Sequence, residues 1–208
     1  MPEPRLPLEP TNYYHIYNHA VGKENLFERD QDYNYFLSKM KEYLLPVTDI
    51  LAYCLQPNHF HLVVRIKTKK EVENYLRSKL GESKFQKLST REYFLDEQLS
   101  KIYSNLFNTY AKHFNFVKQR TGSLFKRAFM RKKIESTEYL RTLISYVHQN
   151  PVESGLSKKT EHWNYSSYRA IITQGQTLVM REEVIELFGN LENFLYCHNR
   201  YVEIKMEL

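Results

Sequence analysis

The stretch Pro57-Asn58-His59-Phe60-His61-Leu62-Val63-Val64-Arg65 limits this chain more than any other. Its polarity alternates with period two, so His59, His61 and Val63 face one side of a strand and Phe60, Leu62 and Val64 the other. Two imidazoles on one strand face stand roughly 7 Å apart along the chain, close enough to grip one divalent cation. Taken alone, the triplet fits a pair of solvated or hydrogen-bonded strand histidines equally well.

Asp49 to Leu55 reads as a strand, and Gln56-Pro57-Asn58 as a short turn, which predicts an antiparallel hairpin with the histidines at its mouth. Before it, the proline-rich first ten residues form an extended lead-in. Tyr13 to Val21 is rich in strand formers. Glu28 to Leu45 carries Tyr33, Phe36, Leu37, Met40 and Leu44 at helical spacing, with Pro46 closing the helix. Lys69 to Gly81 reads as a helix, Glu82 to Tyr93 as a variable or mobile insertion, and Leu95 to Lys118 as a long helix. Phe129 to Ile134 is a further strand.

Ser136 is a good N-cap, with Glu138 in the first turn where its charge suits the helix dipole. Leu140, Leu143, Ile144 and Val147 form a core stripe, and Asn150 before Pro151 is expected to end the helix. Tyr139, Tyr146 and Asn150 share a line about a quarter-turn from that stripe, on a flank expected to be half buried and half reachable. Tyr146 and Asn150 are i and i+4, hence neighbours. A boundary tyrosine and a helix-terminal asparagine making a local bond would give the same pattern.

The 208 residues carry a net charge of +6 and are 42% hydrophobic, a globular composition that favours an anionic partner. Between Lys118 and Lys133 the cations Lys118, Arg120, Lys126, Arg127, Arg131, Lys132 and Lys133 occur without an acid, interleaved with Phe125 and Phe129 around Gly122. Such a run is a solvated loop or a surface for a nucleic-acid backbone and its bases. The chain's 17 tyrosines and 12 phenylalanines suit either a core or base stacking. Cys54 and Cys197 have no paired spacing, which argues against a disulfide scaffold or a zinc cluster and for a reducing, cytoplasmic setting. No window reads as a membrane span or a signal core.

A tyrosine hydroxyl can attack a phosphodiester, but with an ordinary pKa near 10 it is a poor nucleophile unassisted. A cation held by His59, His61 and the Asn150 amide oxygen could polarise the scissile phosphate. These residues resemble the HUH endonuclease group, within it the single-tyrosine (Y1) transposases of the IS200/IS605-like type, and most of all the REP-associated tyrosine transposases. The carriers are Pro57 to Val64 and Tyr146-Val147-His148-Gln149-Asn150-Pro151-Val152-Glu153-Ser154-Gly155-Leu156. Supporting likeness comes from Tyr17-Asn18-His19, Gly122 to Arg127 and Trp163 to Tyr168.

The resemblance implies an α+β, ferredoxin-like domain over residues 1–174, with a central antiparallel sheet flanked by helices and a C-terminal helical extension over 175–208. It implies cleavage and rejoining of single-stranded DNA beside hairpins with Mg²⁺ or Mn²⁺, in a monomer or a homodimer. His59, His61 and Asn150 would hold the metal and Tyr146 would form a 5′-phosphotyrosine. Some relatives use Gln as the third ligand, and Gln149 is adjacent, but the i+4 spacing favours Asn150. Arg120, Lys126, Arg127, Arg131, Lys132 and Lys133 are the candidate DNA contacts. A hairpin-binding protein without catalysis is the rival reading.

Overall fold

A computed structural model describes residues 6–199, so Tyr201 and the first five residues of the lead-in lie outside it. The alternating run becomes β3 (His59–Ile66), paired with β2 (Thr48–Gln56) across the two-residue Pro57-Asn58 turn. β1 (Tyr13–His19) pairs with the other edge of β3, and β4 (Met130–Ile134) pairs with β1. The sheet order is β2-β3-β1-β4, antiparallel throughout. With α1 (Asp30–Tyr43) linking β1 to β2 and α4 (Phe94–Val117) preceding β4, the fold is α+β in the ferredoxin-like βαββαβ order.

One sheet face is apolar because every second residue of β1 and β3 is. Tyr14, Ile16, Phe60, Leu62 and Val64 are buried there with Phe36 and Met40 of α1 and Tyr103, Leu106, Phe107 and Tyr110 of α4. Phe60 lies 5.3 Å from Phe36 and 5.1 Å from Phe107, ring centre to ring centre. Much of the tyrosine excess is therefore core. Two of the fully buried phenols have partners, Tyr103 in Thr48 at 3.1 Å and Tyr14 in Pro7 O at 2.9 Å.

Two local expectations fail for identifiable reasons. Glu82 to Tyr93, read as a mobile insertion, contains the helix α3 (Glu82–Ser89). After α2 (Lys69–Leu80), Phe85 of α3 is buried edge-on against Phe94, and the Arg77 guanidinium lies 4.1 Å from the Phe85 ring centre. One apolar anchor among charged neighbours docks the segment. The second correction concerns α5 (Thr137–Glu153), which runs through Pro151 instead of ending at Asn150. Proline removes one donor and disfavours helical geometry before it. Burial of every residue from Leu143 to Pro151 outweighs that cost. The stop comes at Gly155, with φ of 70°, where Leu156 N–H donates to Pro151 O at 2.9 Å and Gly155 N–H to Val152 O at 3.0 Å.

The segment after Gln174 packs on the rest of the chain. Val179 bridges to Ile50 on the outer edge of β2. Val184 of α7 (Arg181–Leu187) and Phe194 of α8 (Leu191–His198) belong to the same buried cluster as the sheet. Among the described residues no helix is long and apolar enough to cross a membrane.

Candidate active site

The second sheet face is polar at its centre, and α5 lies across it. Opposite His59 stand His19 of β1 and Gln56 of β2; opposite His61 stand Tyr17 and Cys54. His15 faces Val63 one pair further along. A register shift between Ile50 and Ala52 decides which residues of β2 join this face. Before the shift Asp49 is level with Arg65 on the site face, whereas after it Ala52, Cys54 and Gln56 are.

The structure brings together four of the residues singled out in the sequence. Asn150 Oδ1 lies 3.2 Å from His59 Nε2 and accepts a hydrogen bond from Gln56 Nε2. The Tyr146 ring stands edge-on to His61 with centroids 5.9 Å apart, and the His59 and His61 rings are 5.0 Å apart. The helix-flank argument is corrected in degree. Tyr146 is only 5% exposed and Asn150 only 4%, not half reachable.

Does this set suit a divalent cation? His59 Nδ1 lies 2.7 Å from Asn58 Oδ1 and its Nε2 faces Asn150 Oδ1, so both ring nitrogens point at oxygens. Only an imidazolium could donate to both, yet burial holds the His59 pKa down to about 4, with His19 adding to the effect. Neutral His59 carries one proton, which belongs to the shorter contact with Asn58. In that tautomer the Nε2 lone pair and the Asn150 carbonyl oxygen, 3.2 Å apart, are both available to one cation. His61 Nε2 is buried without a hydrogen-bond partner. Two imidazole nitrogens and an amide oxygen therefore fit a divalent cation that keeps further positions for water and phosphate. Among the described residues no three of His, Cys, Asp and Glu form a metal group, so Asn150 is the third donor this reading requires.

The Tyr146 hydroxyl is not activated in this state. Burial raises its pKa, and the nearby Glu153 carboxylate adds to the rise, while a hydrogen bond with the Asn150 side chain opposes them. The phenol is thus protonated at neutral pH and needs a positive charge nearby, or an acceptor for its proton, to attack.

His148 points away from the metal set, as its helical position predicts. Its Nε2 lies 2.7 Å from Ser167 Oγ and its Nδ1 2.9 Å from His198 Nε2. Gln149 donates to His198 O at 2.8 Å. Both residues tie α5 to the C-terminal part of the chain, and neither turns toward His59.

The basic run divides in two. The Arg131 side chain is only 3% exposed and pairs with Asp96 at 3.2 Å and Ser100 at 2.7 Å. Lys133 pairs with Glu9, Arg120 with Glu24 and Asn115, and Lys132 lies over the Tyr139 ring. Lys126 and Arg127 instead line an open cavity of about 570 Å³ with Lys112, Asn108 and Phe125. Among the described residues these three cations have no carboxylate partner. Arg131→Ala is expected to destabilise the fold by about 2 kcal/mol, because it removes a guanidinium that donates to Asp96 and Ser100, while Asp96 keeps the Leu8 N–H and the Ser100 hydroxyl. Urea unfolding monitored by circular dichroism checks this.

Sequence reasoning missed His15, His19 and Gln56 as members of the polar face. The i, i+4 spacing of His15 and His19 on a strand puts both on one side, but only the pairing register shows that it is the side of His59 and His61.

An antiparallel α+β sheet carrying paired histidines, under a helix that carries tyrosine and asparagine, is the class that fold and site together define. No family model and no curated protein matches the sequence. Among solved structures, a REP-associated tyrosine transposase bound to a REP hairpin shares the fold. It aligns with a TM-score of 0.58 and 16% identity over 86% of this chain and 90% of that one.

Proposed function

We propose that this chain binds hairpin DNA and, with Mg²⁺ or Mn²⁺, cleaves and rejoins an adjacent single strand as a tyrosine transposase of the HUH type does. The observation that carries the reading is the convergence of His59, His61, Asn150 and Tyr146, from two distant parts of the sequence, on one sheet face. The shared fold with a hairpin-bound transposase supports the same partner.

Bound at His59, His61 and Asn150, the ion would supply positive charge to the scissile phosphate and the leaving oxygen. The rest is work for the chain's own residues. Tyr146 Oη attacks phosphorus and the P–O3′ bond breaks. The DNA 5′ end is left on tyrosine, the 3′ oxygen gains a proton, and the phenol loses its own. Attack by another 3′-hydroxyl reverses the step, so the bond energy is kept and no nucleotide cofactor is consumed. Asn150 orients Tyr146 through their hydrogen bond.

The burial of Tyr146 favours a second reading, a hairpin binder derived from such an enzyme, in which the tyrosine never meets DNA. One assay separates the two. The protein is incubated with a 5′- or 3′-labelled oligonucleotide bearing a hairpin and Mn²⁺, then run on denaturing gels. A covalent protein–DNA band that carries the 3′ label, and so the fragment whose 5′ phosphate is on tyrosine, supports strand transfer. Binding without cleavage at any metal concentration establishes the binder, and cleavage without an adduct points to water as the nucleophile.

Lys126 and Arg127, with Lys112 beside them, are the cations we assign to the DNA backbone. Lys126→Gln with Arg127→Gln is expected to weaken hairpin binding and to lower the slope of log affinity against log salt by about two. Filter binding over a salt series measures it, and an unchanged slope rejects the assignment.

A further inference from the structure

We infer that His15 is a positioning residue that sets the tautomer of His61, making His61 Nε2 a lone-pair donor to the cation. The inference rests on the reading of His59, His61 and Asn150 as cation ligands.

His15 is fully buried on β1, diagonal to His61. Its Nε2 lies 2.9 Å from His61 Nδ1, and the two rings stack with centroids 5.1 Å apart. His15 also stacks on Tyr17 at 4.6 Å, and Tyr17 on His61 at 6.1 Å. The hydrogen bond contains one proton, and two arrangements are open to a neutral pair. If His61 Nδ1–H donates to His15 Nε2, the His61 Nε2 lone pair is free for a metal. If His15 Nε2–H donates instead, His61 Nε2 carries a proton and cannot coordinate. The pair is thus a two-state device with one competent state.

A purely structural role does not account for how the pair is finished. His15 Nδ1 and His61 Nε2 are both buried with no hydrogen-bond partner. Each unmet buried polar group is destabilising, and an apolar pair in the same space would avoid both penalties. A cation on His61 Nε2 removes one of them and selects the competent tautomer. Outer partners of this kind commonly set metal affinity, and a carboxylate or a carbonyl is the usual choice. Here the partner is a neutral imidazole. It orients the ligand without adding negative charge to a site that must also accept a phosphate. Burial, and secondarily Lys132 opposite it on β4, disfavour a charged imidazole at His15.

The test is Mn²⁺ affinity of the full chain without DNA, read from free-ion electron paramagnetic resonance and from calorimetry. His15→Leu is expected to lower affinity roughly 10- to 100-fold, and His15→Gln, whose carbonyl can accept from His61 Nδ1–H, to recover most of the loss. Metal-free urea unfolding checks that the loss is not one of fold: His15→Leu removes the unmet His15 Nδ1 but strands His61 Nδ1, as many unmet groups as before, so a midpoint close to that of the wild type or slightly below it is expected. Unchanged Mn²⁺ affinity in His15→Leu, or equal losses in both variants, overturns the inference and leaves the metal reading standing. A wild-type chain that takes up no Mn²⁺ overturns the metal reading, and this inference with it. Should His15→Leu fail to fold, ¹⁵N shifts of the wild type with Mg²⁺ decide. Protonation of His61 at Nδ1 supports the role, and protonation at Nε2 rejects it.

Discussion

Tyr146→Phe is expected to abolish the covalent protein–DNA adduct, with strand cleavage reduced at least about a thousandfold, while hairpin affinity stays within a factor of two. Magnitudes of this order arise when a nucleophile is deleted from a site whose binding contacts remain. The substitution is well controlled because it removes one oxygen. The ring that stands edge-on to His61 remains, so the packing of α5 on the sheet is preserved. Asn150 loses one hydrogen-bond partner but keeps Gln56 and its place beside His59. Stability should therefore change by no more than about 1 kcal/mol. Gel analysis of adduct and cleavage, beside a binding isotherm, separates loss of chemistry from loss of fold. Cleavage that persists in Tyr146→Phe would make water the nucleophile and reduce Tyr146 to a packing residue.

The buried state of Tyr146 also says what DNA must do. At 5% exposure, the hydroxyl cannot reach a phosphate unless the strand enters between α5 and its surroundings or the helix shifts. Burial that raises the phenol pKa in the free protein gives way, on this reading, to a charged phosphate and cation in the complex. Chemistry then waits for substrate.

The parts of this design visible in the sequence are those set by local periodicity. Alternation from His59 to Val64 specifies a strand with both imidazoles on one side. The Leu140, Leu143, Ile144 and Val147 stripe orients α5, and from that orientation Tyr146 and Asn150 become neighbours. The features that stayed hidden depend on contacts between distant segments. Whether His15 belongs beside His61 depends on the β1–β3 register, and Gln56 reaches the site only through the irregularity at Ile50–Ala52. The basic run misleads for a related reason. Counting cations near Gly122 cannot reveal that Arg131 meets Asp96 from α4, or Lys133 meets Glu9 from the lead-in. Similarly, the flank of α5 looks half exposed until β2 and β3, some 90 residues earlier by the His59–Asn150 contact, are laid against it.

That α8 contact carries the second large effect, a loss of stability in mild acid that is traceable to His198. Its Nδ1–H donates to Phe194 O at 2.8 Å, which leaves Nε2 as the acceptor for His148 Nδ1–H. The chain of donors continues from Ser167 Oγ–H to His148 Nε2, so both imidazoles are satisfied when neutral. Burial lowers the His198 pKa from 6.5 to about 4, even though its bond to Phe194 O works in the opposite direction. The unfolded chain therefore takes up a proton near pH 6.5 that the folded chain refuses. The contribution is whole above about pH 6.5 and is lost progressively as pH falls through about 4. Between pH 7.5 and pH 5 this one residue should remove about 2 kcal/mol. His198→Gln cannot titrate. It should be less stable than the wild type at pH 7.5, through the lost bond to His148, yet its stability should fall by about 2 kcal/mol less on going to pH 5. Urea midpoints of both proteins at the two pH values give the comparison, and parallel pH dependences would remove His198 as the source. Because His198 and Gln149 join α8 to the helix that bears Tyr146 and Asn150, release of α8 in acid should loosen that helix over the histidine face before the sheet itself unfolds. Hydrogen exchange is then expected to rise first at Leu191–His198 and the C-terminal turns of α5, with β1 and β3 still protected.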